Sequence, residues 1–279
     1  MTLPNKNKKS LPPATSQATA TESSSLLAVN DQESELAQQP IIAHLVELRQ
    51  RTLRSVIVII SCFLGLFYFS SEIYHLLAQP LMATLPAGSQ MIATEVASPF
   101  LTPLKLTIVA AVFLSVPYLL HQLWAFISPG LYLNEKRFAI PLLLSSILLF
   151  YAGIAFAYFL VFPVIFAFFT SVAPEGVQVM TDIQQYFSFV IKLFFAFGLI
   201  FEVPVATFLL VASGLASVEK LGKARPYIFV GAFVAGMLLT PPDLLSQFML
   251  AIPMWLLFEL GLLLAKLSRV SAAKNAPSS

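Results

Sequence analysis

Apolar residues along this chain fall into six blocks, separated by short polar or proline-bearing breaks. The first three run from about Thr52 to Phe69, Leu104 to Leu123 and Phe138 to Phe162. The others run from about Tyr186 to Ser213, Tyr227 to Leu239 and Leu244 to Ala265. About 20 helical residues cross the roughly 30 Å hydrocarbon core of a bilayer. The pattern therefore predicts an all-α polytopic membrane protein with six transmembrane helices. The fifth block is short, since Pro226 to Thr240 covers only roughly 22 Å as a helix. Either the bilayer thins there or this hairpin sits partly against other protein. The third block stays apolar to about Phe169, so it should protrude from the bilayer or break at Pro163. Pro117, Pro204 and Pro253 lie inside blocks, and each removes an i to i−4 hydrogen bond. Bent helices forming a concave bundle are expected. Between the last two blocks, Thr240-Pro241-Pro242-Asp243 reads as a turn, with Asp243 as helix N-cap.

Outside the blocks, residues 1–39 are rich in Ser, Thr, Ala, Gln and Pro and read as a disordered cytosolic tail. Lys6, Lys8 and Lys9 precede no apolar stretch of signal-peptide type. The membrane domain is expected over residues 40–267, with a second cytosolic tail over 268–279.

Composition agrees with the pattern: 58% of the residues are hydrophobic and 11% charged, against about 25% charged in soluble domains. The placement of charge adds orientation. With six spans, fourteen of the 16 Lys and Arg lie on the side that holds both termini. Only Lys105 and Lys192 fall on the other side, with Glu72, Glu95, Glu175, Asp182 and Asp243. By the positive-inside rule both termini are cytoplasmic. The single cysteine, Cys62, excludes an internal disulfide and reads as a packing thiol.

Enzymatic signals are absent. His44, His75 and His121 stand near span ends without metal-ligand spacing, and no CxxC, GxSxG, HExxH or phosphate loop is present. An intramembrane protease would need a Ser–His or paired-Asp arrangement that the spans do not offer. Neither cofactor nor metal is expected. Four carboxylates draw notice instead. Glu202, in "FGLIFEVPV", lies deep in the fourth block, where a charged acid is costly and functional by default. It either faces a polar cavity or a partner, or is neutral and bonded to a neighbouring helix. Glu259 is closer to the cytoplasmic end and can reach water. Glu47, in "HLVELRQRTLR", interrupts a basic run of Arg49, Arg51 and Arg54, and Glu135 stands beside Lys136 and Arg137 in a loop with Trp124, Phe126, Leu131 and Tyr132. Gln247, one turn into the sixth block, is suited to packing or to docking another membrane helix.

The blocks "HLVELR", "MIATEVASPFLTPLKL", "WAFISPGLY", "APEGVQV", "FGLIFEVPV" and "GMLLTPPD" occur in order, and over about Ile41 to Leu267 the chain resembles the TatC family. This is the C subunit of the twin-arginine protein translocase, here of proteobacterial type. The resemblance implies a multi-pass protein of a bacterial inner membrane that exports folded proteins using the proton-motive force. It implies as partners twin-arginine signal peptides, the single-span A and B subunits, membrane lipid and further copies of the chain, and no nucleic acid. It assigns signal-peptide binding to Glu47 and Glu135, with Arg49, Phe126 and Leu131 in the same cytosolic patch. It also assigns partner docking to Met237 and Leu238, a polar site to Gln247 and the family's intramembrane acid to Glu202. On the residues alone, the rival is a proton-coupled secondary transporter of a small solute with Glu202 as coupling site. No inverted repeat supports it.

Overall fold

A computed structural model of the chain describes residues 45–83, 91–127, 139–172, 180–240 and 243–274. The backbone divides into two units, Met1–Leu53 and Arg54–Ser279. Among the described residues the fold is helical. Helix α1 covers 45–66, followed by a 3-10 turn at Phe67–Phe69 and α2, Ser70–Met82. Then come α3 (Ser98–Ile127), α4 (Ala139–Phe156), a π-helical turn (Ala157–Val161) and α5 (Phe162–Ser171). The chain continues with α6 (Ile183–Phe201), α7 (Val203–Ala212), α8 (Val218–Lys223), α9 (Arg225–Leu239) and α10 (Leu244–Lys274).

Among the described residues, five stretches are long and apolar enough to cross a membrane: Leu45–Met82, Ser98–Phe126, Ile140–Ser171, Ile183–Ala212 and Leu244–Leu267. Arg225–Leu239 is a sixth apolar helix of shorter length. The six blocks thus all become helices, but their ends differ from expectation. The first continues beyond Phe69 through α2, because Ile73, Leu77 and Leu81 turn toward the core and Pro80 leaves the helix unbroken. Hydroxyls from Tyr158 and Tyr186 donate to the carbonyls of Leu76 and Leu77, at 3.0 and 2.8 Å.

The third block passes Pro163 by another device. The π turn at 157–161 widens the helix just before the proline, which sits in the first turn of α5, and the helix resumes to Ser171. A proline needs no amide hydrogen in that position. The fourth block does break. Pro204 stands at the start of α7, and Glu202 is the joint, with φ −78° and ψ −13°.

The core of the second unit surrounds α6. Val190, Leu193 and Phe197 are fully buried, and α4, α3, the π turn and α10 pack around them. Lipid tails are as apolar as leucine, so helix association here depends on close packing and not on water exclusion. Gly153 of α4 and Gly198 of α6 supply it. A Cβ on Gly153 would lie 2.5 Å from the Phe197 carbonyl oxygen, and one on Gly198 would lie 2.6 Å from the Phe150 ring. Outward-facing Leu144, Leu148, Leu199 and Leu256 are exposed, as a lipid-facing surface requires.

Candidate functional site

In the first unit, Glu47 and Arg51 stand one helical turn apart. Arg51 donates through Nε at 3.0 Å and through a terminal nitrogen at 2.5 Å, both to the same oxygen, Oε1 of Glu47. A carboxylate four residues before its cation is the favourable order on a helix. One Glu47 oxygen is thus engaged while its side chain stays 39% exposed. Arg49 is exposed. Phe126, half-buried near the end of α3, lies two residues beyond the buried Trp124. Glu135 and Leu131, the other members of the expected cytosolic patch, lie outside the described residues.

Glu202 occupies the α6–α7 joint. Its amide donates to the Leu199 carbonyl at 3.1 Å, and its own carbonyl accepts from Ala206 at 2.9 Å. The buried Ser146 of α4 approaches its carboxyl group, yet Oε1 is buried with no hydrogen-bond partner among the described residues. Burial of an acceptor without a partner costs free energy. The helix break that Pro204 creates therefore places an incompletely satisfied acid inside an apolar bundle.

At the α9–α10 pair the expected residues divide. Met237 and Leu238 are 58% and 76% exposed and form an outward apolar face. Gln247 turns inward and donates from Nε2 to the Phe233 carbonyl at 2.9 Å. Gly236 permits this approach, since a Cβ there would meet Gln247 Cγ at 3.1 Å. Asp243 caps α10 as expected, accepting from the Ser246 amide at 2.7 Å. At the other end of α9, Arg225 donates to Glu259, Nε to Oε1 at 2.5 Å and a terminal nitrogen to Oε2 at 2.8 Å. Glu259 is thus not simply reaching for water. This pair went unread because its members are 34 positions apart and share no motif; their common place at one end of two helices was the available signal.

On the opposite side, Asp182 begins α6. It accepts from the Gln185 amide at 2.9 Å and from the Thr94 amide and hydroxyl at 3.1 and 2.6 Å. These bonds, the Thr94 hydroxyl first, hold its carboxyl below the usual range. They tie the segment after residue 91 to α6, beside a parallel bridge between Ile92 and Asp182. No group of three metal-ligating side chains occurs among the described residues.

The family of the Sec-independent protein translocase protein (TatC) matches residues 43–253. The chain belongs to the TatC family. It is 62% identical over 222 residues to TatC of Azotobacter chroococcum, covering 80% of this chain and 87% of that one. TatC of Escherichia coli is 59% identical over 228 residues, covering 82% and 88%. A solved structure described as Twin Arginine Translocase Receptor- TatC superposes with a TM-score of 0.73 at 36% identity, over 81% of this chain and 99% of that one. Family membership makes the chain a multi-pass protein-translocase component and not an enzyme, and it displaces the solute-transporter reading. The site assignments themselves rest on the TatC motifs and on the geometry above.

Proposed function

We propose that this chain is the signal-peptide receptor core of a twin-arginine translocase, set in a bacterial inner membrane with both termini cytoplasmic. One observation carries the reading: Glu47 is held by a neighbouring arginine, on an exposed helix end, with only one oxygen engaged. An incoming guanidinium can displace Arg51 and take both oxygens, whereas an ammonium cannot reproduce that fork. Glu135 is the second acid, and Arg49, Phe126 and Leu131 belong to the same patch. The single-span partners dock on the outward face of Met237 and Leu238, and the proton-motive force drives export.

Glu202 serves as the intramembrane polar site. Its unpartnered oxygen supports engagement by an inserted signal helix or by a polar residue of a partner subunit. Gln247, already bonded to Phe233, acts by fixing the docking helix in place.

The test is binding of purified protein to a signal peptide carrying Arg-Arg and to its Lys-Lys version. Native protein should prefer Arg-Arg by up to about fivefold per acid once solvent screening is allowed for. Glu47→Gln and Glu135→Gln should each reduce that preference. Equal affinity for both peptides in native protein defeats the two-carboxylate account.

A further inference from the structure

A cationic notch opens in the apolar wall of the second unit, where the end of α9 meets α6. It has a volume of about 440 Å³; Gln184, Gln185, Ser188 and Lys192 line one side, and Leu238 and Thr240 the other. Lys192 is nine residues into α6, roughly 14 Å along its axis, and is exposed. It makes no ion pair among the described residues. Beside it, Lys105 of α3 donates to the Ser188 hydroxyl at 3.1 Å, bringing a second ammonium to the same helix face. Two acids stand close in sequence to the lining residues. Asp182 accepts from Thr94 and Gln185, and Asp243 caps α10.

We propose that this notch binds the phosphate of an anionic phospholipid from the leaflet that meets the α6 N-terminus. Three features favour that ligand. The one charged lining residue, Lys192, is a donor only, matched to a phosphodiester that offers only acceptors, and the Lys105 ammonium lies against Ser188 beside it. The side-chain NH2 groups of Gln184 and Gln185 can add further donors. Helix side chains lean toward the N-terminus, so Lys192 extends along Ser188 and Gln185 toward the headgroup region. Finally, α9 ends beside Lys192, since Leu238, Leu239 and Thr240 line the same notch. α9 is only 15 residues long, and a headgroup can descend into the notch at its end. Leu199, two turns below Lys192, and Leu238 are exposed and apolar, which gives the acyl chains a surface that inorganic phosphate would not use.

The experiment is lipid retention by the full purified chain, read by native mass spectrometry during titration with phosphatidylglycerol, phosphatidylcholine or inorganic phosphate. Native protein should retain one phosphatidylglycerol about fivefold more tightly than Lys192→Leu does. Lys192→Arg should recover it, and Lys105→Gln should weaken it less. Circular dichroism melting of each variant checks that the fold is intact. Equal retention by native protein and Lys192→Leu overturns the proposal. So does retention of inorganic phosphate with no preference for the lipid. Unchanged lipid retention with weaker self-association in Lys192→Leu would assign the lysine to a protein partner, again overturning it.

Discussion

Arg225 and Glu259 face each other across the base of the α9–α10 pair, each guanidinium donor meeting its own carboxylate oxygen at 2.5 and 2.8 Å. Higher in the same pair, Gln247 holds the Phe233 carbonyl, and Phe233 packs against Phe248 with ring centroids 5.1 Å apart. This 15-residue helix is thus fastened to its neighbour at two levels. The fork requires an arginine, so Arg225→Lys should lower the melting temperature of the detergent-purified protein nearly as much as Arg225→Ala. The exchange Arg225→Glu with Glu259→Arg should recover part of the loss. Identical melting of all these variants would mean the pair does not hold the helix.

The α4–α6 contact offers a sharper test of packing. Gly153 and Gly198 are not in a turn and have ordinary dihedrals, so only proximity requires them. Gly153→Ala would press a methyl group on the backbone of Phe197, which cannot move aside as a side chain can. Overpacking of this kind costs about 1–3 kcal/mol. Unfolding in mixed micelles should show that loss, while Gly65→Ala, on the open surface of the first helix, should show none.

These relationships mark how far the residues could be read in advance. Helix positions followed from block length, because a bilayer enforces about 20 apolar residues per crossing. Asp243 as a cap followed from its chemistry. Three features did not. The continuation of the first helix through Ser70–Met82 depends on tertiary contacts of Leu77 and Leu81 with α6 residues. The π turn before Pro163 is one of two ways around a proline, and local composition does not choose between them. The Glu47–Arg51 pair does not follow from proximity in sequence, since Arg49 is two positions from Glu47 and Arg51 is four, and only helix geometry selects the farther arginine. The other acid of the proposed receptor patch, Glu135, stands on its motif alone.

Asp182 gives a pH dependence with a definite sign. Its folded carboxyl is held below its unfolded value by Thr94 and the Gln185 amide. The stability it contributes is present above the unfolded value, about pH 3.9, and is lost as pH falls through the folded one. Amide exchange of Ile92 and Ile183, whose bonds cross this junction, should accelerate over that acid window. Asp182→Asn should show fast exchange already at neutral pH and little further change on acidification. A native junction insensitive to acid would show that Thr94 and Gln185 do not depend on the charge.

Glu202 should separate stability from function. Its Oε1 is buried without a partner, and a buried acceptor left unmatched costs about 1–3 kcal/mol, whereas an apolar group of similar shape removes that cost. Glu202→Leu should therefore unfold later than native protein in mixed micelles. Glu202→Gln retains an acceptor, adds donors, and should fall between them. If the acid exists to receive a polar group from an inserted helix, export measured in inverted membrane vesicles should follow the opposite order, with native protein first, Gln next and Leu near zero. The helix joint at Pro204 is unchanged by either substitution, so altered backbone geometry cannot account for that ranking. A leucine variant that is both more stable and fully active would leave the buried carboxyl without a purpose and remove it from the translocation path.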